Sequence, residues 1–271
     1  MNGTDLIAPP AGGGGPAGSL HSPTPIGDAR TARDAGHVWL LHGFGARPFV
    51  MKRMARLLNI HGHATRLWGY SSTRQRIAQH ASALRDEVLR AVEAEELHHV
   101  DFVTHSLGSI IVRQMLCDWP SPFIRRVVML APPNGGSHFA RFDSLVLKPI
   151  CPVLSELSSS RQSVVNRMDE PAATEIGVIA ASSDWVVRRR NTHLSVEADH
   201  IVIKGDHVRL PLLRVCADQA SHFLWHGRFE RAVACEKRQR RPFDETRRTN
   251  AGSFDHIPGA ACISGGRSAA T

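Results

Sequence analysis

Apolar residues in this chain fall into two patterns, short unbroken runs and helical stripes, and the two alternate. His37-Val38-Trp39-Leu40-Leu41 is an unbroken run that stops at a turn, His42 to Gly45. A run without polar alternation fits a strand of a parallel sheet covered on both faces. Val50, Met54, Leu57 and Leu58 then repeat at helical spacing until Gly62, and Ala64 to Tyr70 predicts a second strand. The clearest helix follows, with Ile77, Ala81, Leu84, Val88 and Val92 on one face and Arg, Asp and Glu on the other. Phe102 and Val103 belong to a third strand, which breaks at Ser106 into an apolar helix (Ile110, Ile111, Val112, Met115, Leu116) ended by Pro120 and Pro122. Phe123 to Leu130, Ile176 to Ala181 and His200 to Ile203 supply further strands. A helix from about Pro211 to Trp225 closes the core, with Leu212, Leu213, Cys216, Ala220, Phe223 and Leu224 inward.

Strands alternating with helices give an α/β class, a mainly parallel central sheet with helices on both faces. Between Ser137 and about Ala173 the periodicity fails; Pro149, Pro152 and the serines at 158–160 interrupt scattered apolar residues, and this stretch reads as a small cap over a site. Residues 1–36 are rich in Gly, Pro, Ala and Ser and predict a disordered arm. The folded domain is expected over 37–231, and 232–271 is a basic, Gly/Ser-rich tail predicted to be disordered.

The formal net charge of +8 brings anionic partners into consideration. Much of it is concentrated in the segment from Cys235 to Arg248 and in Arg188-Arg189-Arg190. Without interleaved aromatics such runs read as solvated chain, so no nucleic-acid partner is expected; weak contact with an anionic membrane surface stays open. No apolar run approaches the roughly 20 residues that span a bilayer, and the N-terminus as written lacks a signal peptide, which predicts a cytoplasmic protein. The five cysteines have no C-x-x-C pairing, and Cys117 and Cys216 read as plain buried thiols.

In parallel sheets ligands bind beyond the carboxyl ends of the strands. The residues placed there are His42-Gly43-Phe44, Ser106, Asn134-Gly135, Asp184 and His207. A serine hydroxyl is a poor nucleophile until a base takes its proton and a third group orients that base. Ser106, His207 and Asp184 supply nucleophile, base and orienting acid. Thr104-His105-Ser106-Leu107-Gly108 nearly matches G-x-S-x-G, a strand-to-helix turn that needs small flanking residues. Gly108 meets that need, whereas Thr104 has to squeeze in. The backbone N–H groups of Leu107 and Phe44 are the expected oxyanion donors, each worth about 3–4 kcal/mol in the transition state. The alternatives are Ser106 as a mere helix cap, His193 or His200 as base, and Asp143 as acid. His42 reads as packing for the oxyanion turn. His61, His63, His98 and His99 lack supporting ligands, so no metal is expected. Arg188 to Arg190 read as a solvated loop, with an anionic substrate or lipid surface as the rival.

Leu40-Leu41-His42-Gly43-Phe44-Gly45, the elbow at 104–108, Ala-Pro-Pro-Asn-Gly-Gly-Ser at 131–137, Ser183-Asp184-Trp185-Val186-Val187 and Gly205-Asp206-His207 together resemble the lipase and esterase branch of the α/β-hydrolase superfamily, in particular small bacterial lipase-like hydrolases. The resemblance covers roughly His37 to Phe229. It implies hydrolysis of carboxylic esters, sometimes thioesters, through an acyl-enzyme and without a cofactor, with the triad in the order Ser, Asp, His. The expected partner is a small-molecule ester or lipid-like substrate whose apolar group lies under the cap. An acyl thioesterase is the nearest alternative. A non-catalytic binding protein of the same fold is the alternative from another class, and a complete triad speaks against it.

Overall fold

The computed structural model describes residues 37–138, 151–171 and 173–231. Its strands are β1 (His37–Leu41), β2 (Ala64–Trp68), β3 (Val100–His105), β4 (Ile124–Leu130), β5 (Glu175–Ala181) and β6 (Asp199–Ile203). The helices are α1 (Lys52–Ile60), α2 (Ile77–Ala94), α3 (Leu107–Asp118), α4 (Pro152–Glu156), α5 (Val164–Arg167) and α6 (Arg214–His226). All of these lie in the unit that ends at Glu230.

The strands form one sheet in the order β2-β1-β3-β4-β5-β6, and every adjacent pair is parallel. Successive side chains point to opposite faces. Trp39, Leu41, Phe102, Val127 and Met129 pack with α2 and α3, while Val38, Leu40, Val103, Val128 and Leu130 pack with α1 and α6. Both faces are covered, which is why the strands read as unbroken apolar runs. Each fully buried Leu, Val or Phe side chain stabilises the fold by about 1.5–3 kcal/mol, before its ordering entropy is offset. The strand order turns back on itself at β1 and β3. The loops after these two strands therefore diverge to opposite sides of the sheet and leave a crevice at their carboxyl ends.

Three local expectations change. The last helix starts at Arg214, because Leu210–Leu212 around Pro211 forms a 3₁₀ turn and Leu213 is extended (φ −81°, ψ 130°). Leu212, expected inward, is therefore exposed. Cys117 is only half-buried, its Sγ against the Asp169 carbonyl at 3.1 Å. In the stretch expected to cap the site, Val153, Leu154, Leu157 and Val165 are buried in the core beside α2 and α3. Residues 139–150 of that stretch, the arm at 1–36 and the tail at 232–271 lie outside the described residues. Among the described residues no helix is long and apolar enough to cross a membrane.

Candidate active site

Ser106 follows β3 with φ 51° and ψ −116°, a left-handed conformation that costs a non-glycine residue about 1–3 kcal/mol. Its amide donates to Leu130 O at 2.9 Å, and Ser109 N donates to Ser106 O at 3.0 Å, so strand and helix hold the turn from both sides. The close approach depends on Gly108, where a Cβ would lie 2.8 Å from His42 O and from Leu41 Cβ. At Gly43 a Cβ would meet His105 Nδ1 at 2.9 Å and Ser106 Cβ at 3.2 Å. Thr104 does not strain the turn. It is fully buried, donates to Val128 O at 3.3 Å, and its Oγ1 lies 2.9 Å from Ser109 Oγ, so hydrogen bonds replace the missing glycine's space.

Asp184 and His207 come to Ser106 from the ends of β5 and β6. His207 Nε2 lies 3.0 Å from Ser106 Oγ, and its Nδ1 lies 2.8 Å from Asp184 Oδ2. The other Asp184 oxygen accepts the Val186 and Val187 amides, each at 2.8 Å. The Asp184 and His207 side chains are 2% and 7% exposed, so their contact is shielded from water. His105 adds a fourth group: its Nε2–H donates to the His207 carbonyl at 2.9 Å. Burial, helped by the neighbouring His207, pushes the His105 imidazole down to about 3 and keeps it neutral.

The loop carrying Asp184 is tied to the turn after β4. Gly135 N donates to Asn191 O at 2.7 Å, Asn134 Nδ2 to Thr192 O at 2.8 Å, Asn191 Nδ2 to Gly136 O at 2.8 Å and Ser137 Oγ to Val186 O at 2.9 Å. The turn after β1 is pinned as well. Tyr70 OH donates to His42 O at 2.6 Å, the two rings stack at 4.3 Å, and Gly45 N donates to Ser72 Oγ at 2.9 Å. Burial lowers the His42 pKa, so the ring is neutral packing behind that turn. The Phe44 and Leu107 amides have no protein acceptor among the described residues.

The rival bases sit elsewhere. His193 and His200 stack on each other at 3.8 Å, engaged with Glu197 at 2.7 Å and Thr192 Oγ1 at 3.0 Å respectively. Ligand atoms of His193, Glu197 and His200 lie within 4.8 Å of one another, the one such grouping among the described residues, and these local bonds already use several of them. Asp143 lies outside the described residues.

Ser106 and His207 open into a cavity of about 680 Å³. Its apolar wall comes from Phe44, Phe49, Trp185, Val186, Val208 and Leu212, and no residue of 151–171 lines it. Lys52, Arg53 and Arg56 of α1 line it too, whereas Arg188 to Arg190 do not. Sequence reasoning missed three things: His105 as a brace, the ties between the 134–137 turn and the Asp184 loop, and the cationic wall. The last had a signal, since no Asp or Glu occurs between His37 and Arg85 in a chain with 25 acidic residues.

No protein-family model matches the chain, and no curated protein matches it in sequence. Solved structures do match in shape. The mature form of a Bacillus licheniformis lipase aligns at 14% identity over 70% of this chain and 91% of its own, with a TM-score of 0.60. Its propeptide form gives 0.56 at 14% identity over 66% of this chain, and the match spans 47% of that longer chain. A carboxyl esterase of metagenomic origin aligns at 18% identity over 72% and 70%, with a TM-score of 0.54. The fold is that of the α/β-hydrolases.

Proposed function

We propose that the protein is a serine hydrolase that cleaves carboxylic esters through an acyl-enzyme. The observation that carries this reading is the continuous chain from Asp184 Oδ2 through His207 to Ser106 Oγ, at 2.8 and 3.0 Å, opening into an apolar cavity. Asp184 accepts the Nδ1–H, which fixes the tautomer and leaves Nε2 as the acceptor for the serine proton. Ser106 then attacks the ester carbonyl while the Leu107 and Phe44 amides stabilise the oxyanion. His207 returns the proton to the leaving alcohol, water enters, and the same base drives release of the acid. The apolar wall favours an acyl chain or another apolar group beside the ester.

Labelling with a fluorophosphonate probe tests the nucleophile. Native protein is expected to label and Ser106→Ala is not; well-folded native protein that fails to label ends the proposal. A chain-length series of p-nitrophenyl esters, run beside acyl-CoA substrates, separates ester from thioester preference.

A further inference from the structure

Among the described residues, the Lys and Arg side chains that line the cavity are three on α1. From His37 to Arg85 the chain has eight Lys and Arg and no acid. Three of the eight find acidic partners elsewhere: Arg66 with Glu87 and Glu95, Arg76 with Glu156, and Arg85 with Asp86. Lys52, Arg53 and Arg56 have no carboxylate partner among the described residues, although they stand within about one turn of one another. For a merely solvated face this is a poor arrangement. Like charges crowd together and lack counterions. All three nevertheless line the same cavity as Ser106 and His207, whose remaining wall is largely apolar.

We infer that Lys52, Arg53 and Arg56 select a substrate with two parts, an apolar group on the Phe49, Trp185 and Leu212 side and a negatively charged group, carboxylate or phosphate, held along α1. The inference deepens the serine-hydrolase reading and rests on it for the chemistry, but the binding it asserts can be measured without turnover. Cations that have no internal partner keep their full attraction for an anion, and an adjoining apolar wall raises that attraction by excluding water.

The test compares binding of monomeric hexyl phosphate, hexanol and inorganic phosphate by calorimetry to native protein, to K52Q/R53Q/R56Q and to R53K/R56K. Native protein is expected to bind hexyl phosphate at least about tenfold more tightly than either of the other two. The preference should fall with added salt. The triple glutamine variant should lose it, and the charge-conserving variant should keep it. In turnover, mono-4-nitrophenyl adipate against 4-nitrophenyl hexanoate places the anion on the acyl side. A 3-hexanoyloxy-4-nitrobenzoate against its neutral carboxamide places it on the leaving group. One of these pairs should show a kcat/KM ratio favouring the anion that collapses in the triple variant.

Equal binding of hexyl phosphate and hexanol, or a preference that survives in K52Q/R53Q/R56Q, overturns the inference. So does inorganic phosphate binding as tightly as hexyl phosphate, because the apolar wall would then contribute nothing. An effect of the triple variant seen only on anionic vesicles, with monomeric ligands indifferent, would assign the cations to a membrane surface and equally overturn it. Hexyl phosphate selectivity in a protein that no fluorophosphonate labels would instead sink the hydrolase reading and leave the anion site standing.

Discussion

The floor and the wall of the cavity are built on opposite principles. On the floor, Ser106, Asp184, His207 and His105 are nearly buried, and hydrogen bonds link each to the next. On the wall, Lys52, Arg53 and Arg56 are exposed and have no acidic partner among the described residues. A linked, dry network fixes positions to fractions of an ångström, as chemistry demands. An unpaired, wet group is free to be paired by something that arrives. The contrast separates residues expected to act on the reaction from residues expected to act on the choice of reactant.

Substitutions on the floor should produce the largest effects. His207→Ala is expected to lower kcat on a short p-nitrophenyl ester by on the order of 10⁴-fold or more, with KM little changed. Asp184→Asn should cost about 10³- to 10⁴-fold and leave a measurable remainder, because Ser106 and His207 still meet but the tautomer is no longer held. Full activity in Asp184→Asn would move the acid role to Asp143. His105→Phe removes the donor to the His207 carbonyl; a drop in kcat of about 10- to 100-fold with native circular dichroism would mark it as a positioning residue. An unchanged kcat would show that the floor tolerates a looser brace.

Acid should also act on two buried histidines, His105 of the floor and His63 against α6. Burial holds His105 down to about 3 and His63 down to about 4, below the ordinary value of 6.5. The unfolded chain therefore binds protons that the folded chain refuses. Stability is fully present above pH 6.5 and falls as pH drops toward 4, by about 2 kcal/mol per histidine at pH 5. Thermal melts between pH 7 and pH 5 check this, and His63→Phe, which keeps a ring against Trp225, should flatten the slope. The wall is built instead from Lys52, Arg53 and Arg56. The smallest effect belongs there. Arg56→Gln alone is expected to change kcat/KM only a few-fold, and only for an anionic ester, since one exposed cation of three is worth under about 1 kcal/mol. A larger loss on a neutral ester would erase the distinction between floor and wall.

How much of this was legible in the sequence follows from the same physics. Runs such as Val38 to Leu41 and Val127 to Leu130 announced a doubly covered parallel sheet, because alternate residues feed two apolar layers. That Ser106, Asp184 and His207 would meet was legible because each follows the carboxyl end of a strand, and strand ends converge in this topology. Leu212 was not, because the 3₁₀ turn at Pro211 breaks the helical register that a spacing count assumes. The lining of the cavity was not legible either. It depends on how α1 docks against the sheet, and that docking brings Arg53 and Arg56 to the cavity that Ser106 opens into, while Leu154 and Leu157 turn into the core.

Thr104 and Ser109 carry a consequence for how this elbow can drift. Their hydroxyls satisfy each other in a spot that water does not reach. Glycine at 104 alone would give the turn its commoner form, yet it would strip Ser109 Oγ of its acceptor and leave a void, a loss of about 1–3 kcal/mol. Alanine at 109 alone would leave the Thr104 hydroxyl with only the longer bond to Val128 O. Neither single step is free, and the double change should be milder than their sum. The two positions are thus a linked pair of letters, and a chain that has adopted one spelling of the turn is held to it until both letters change.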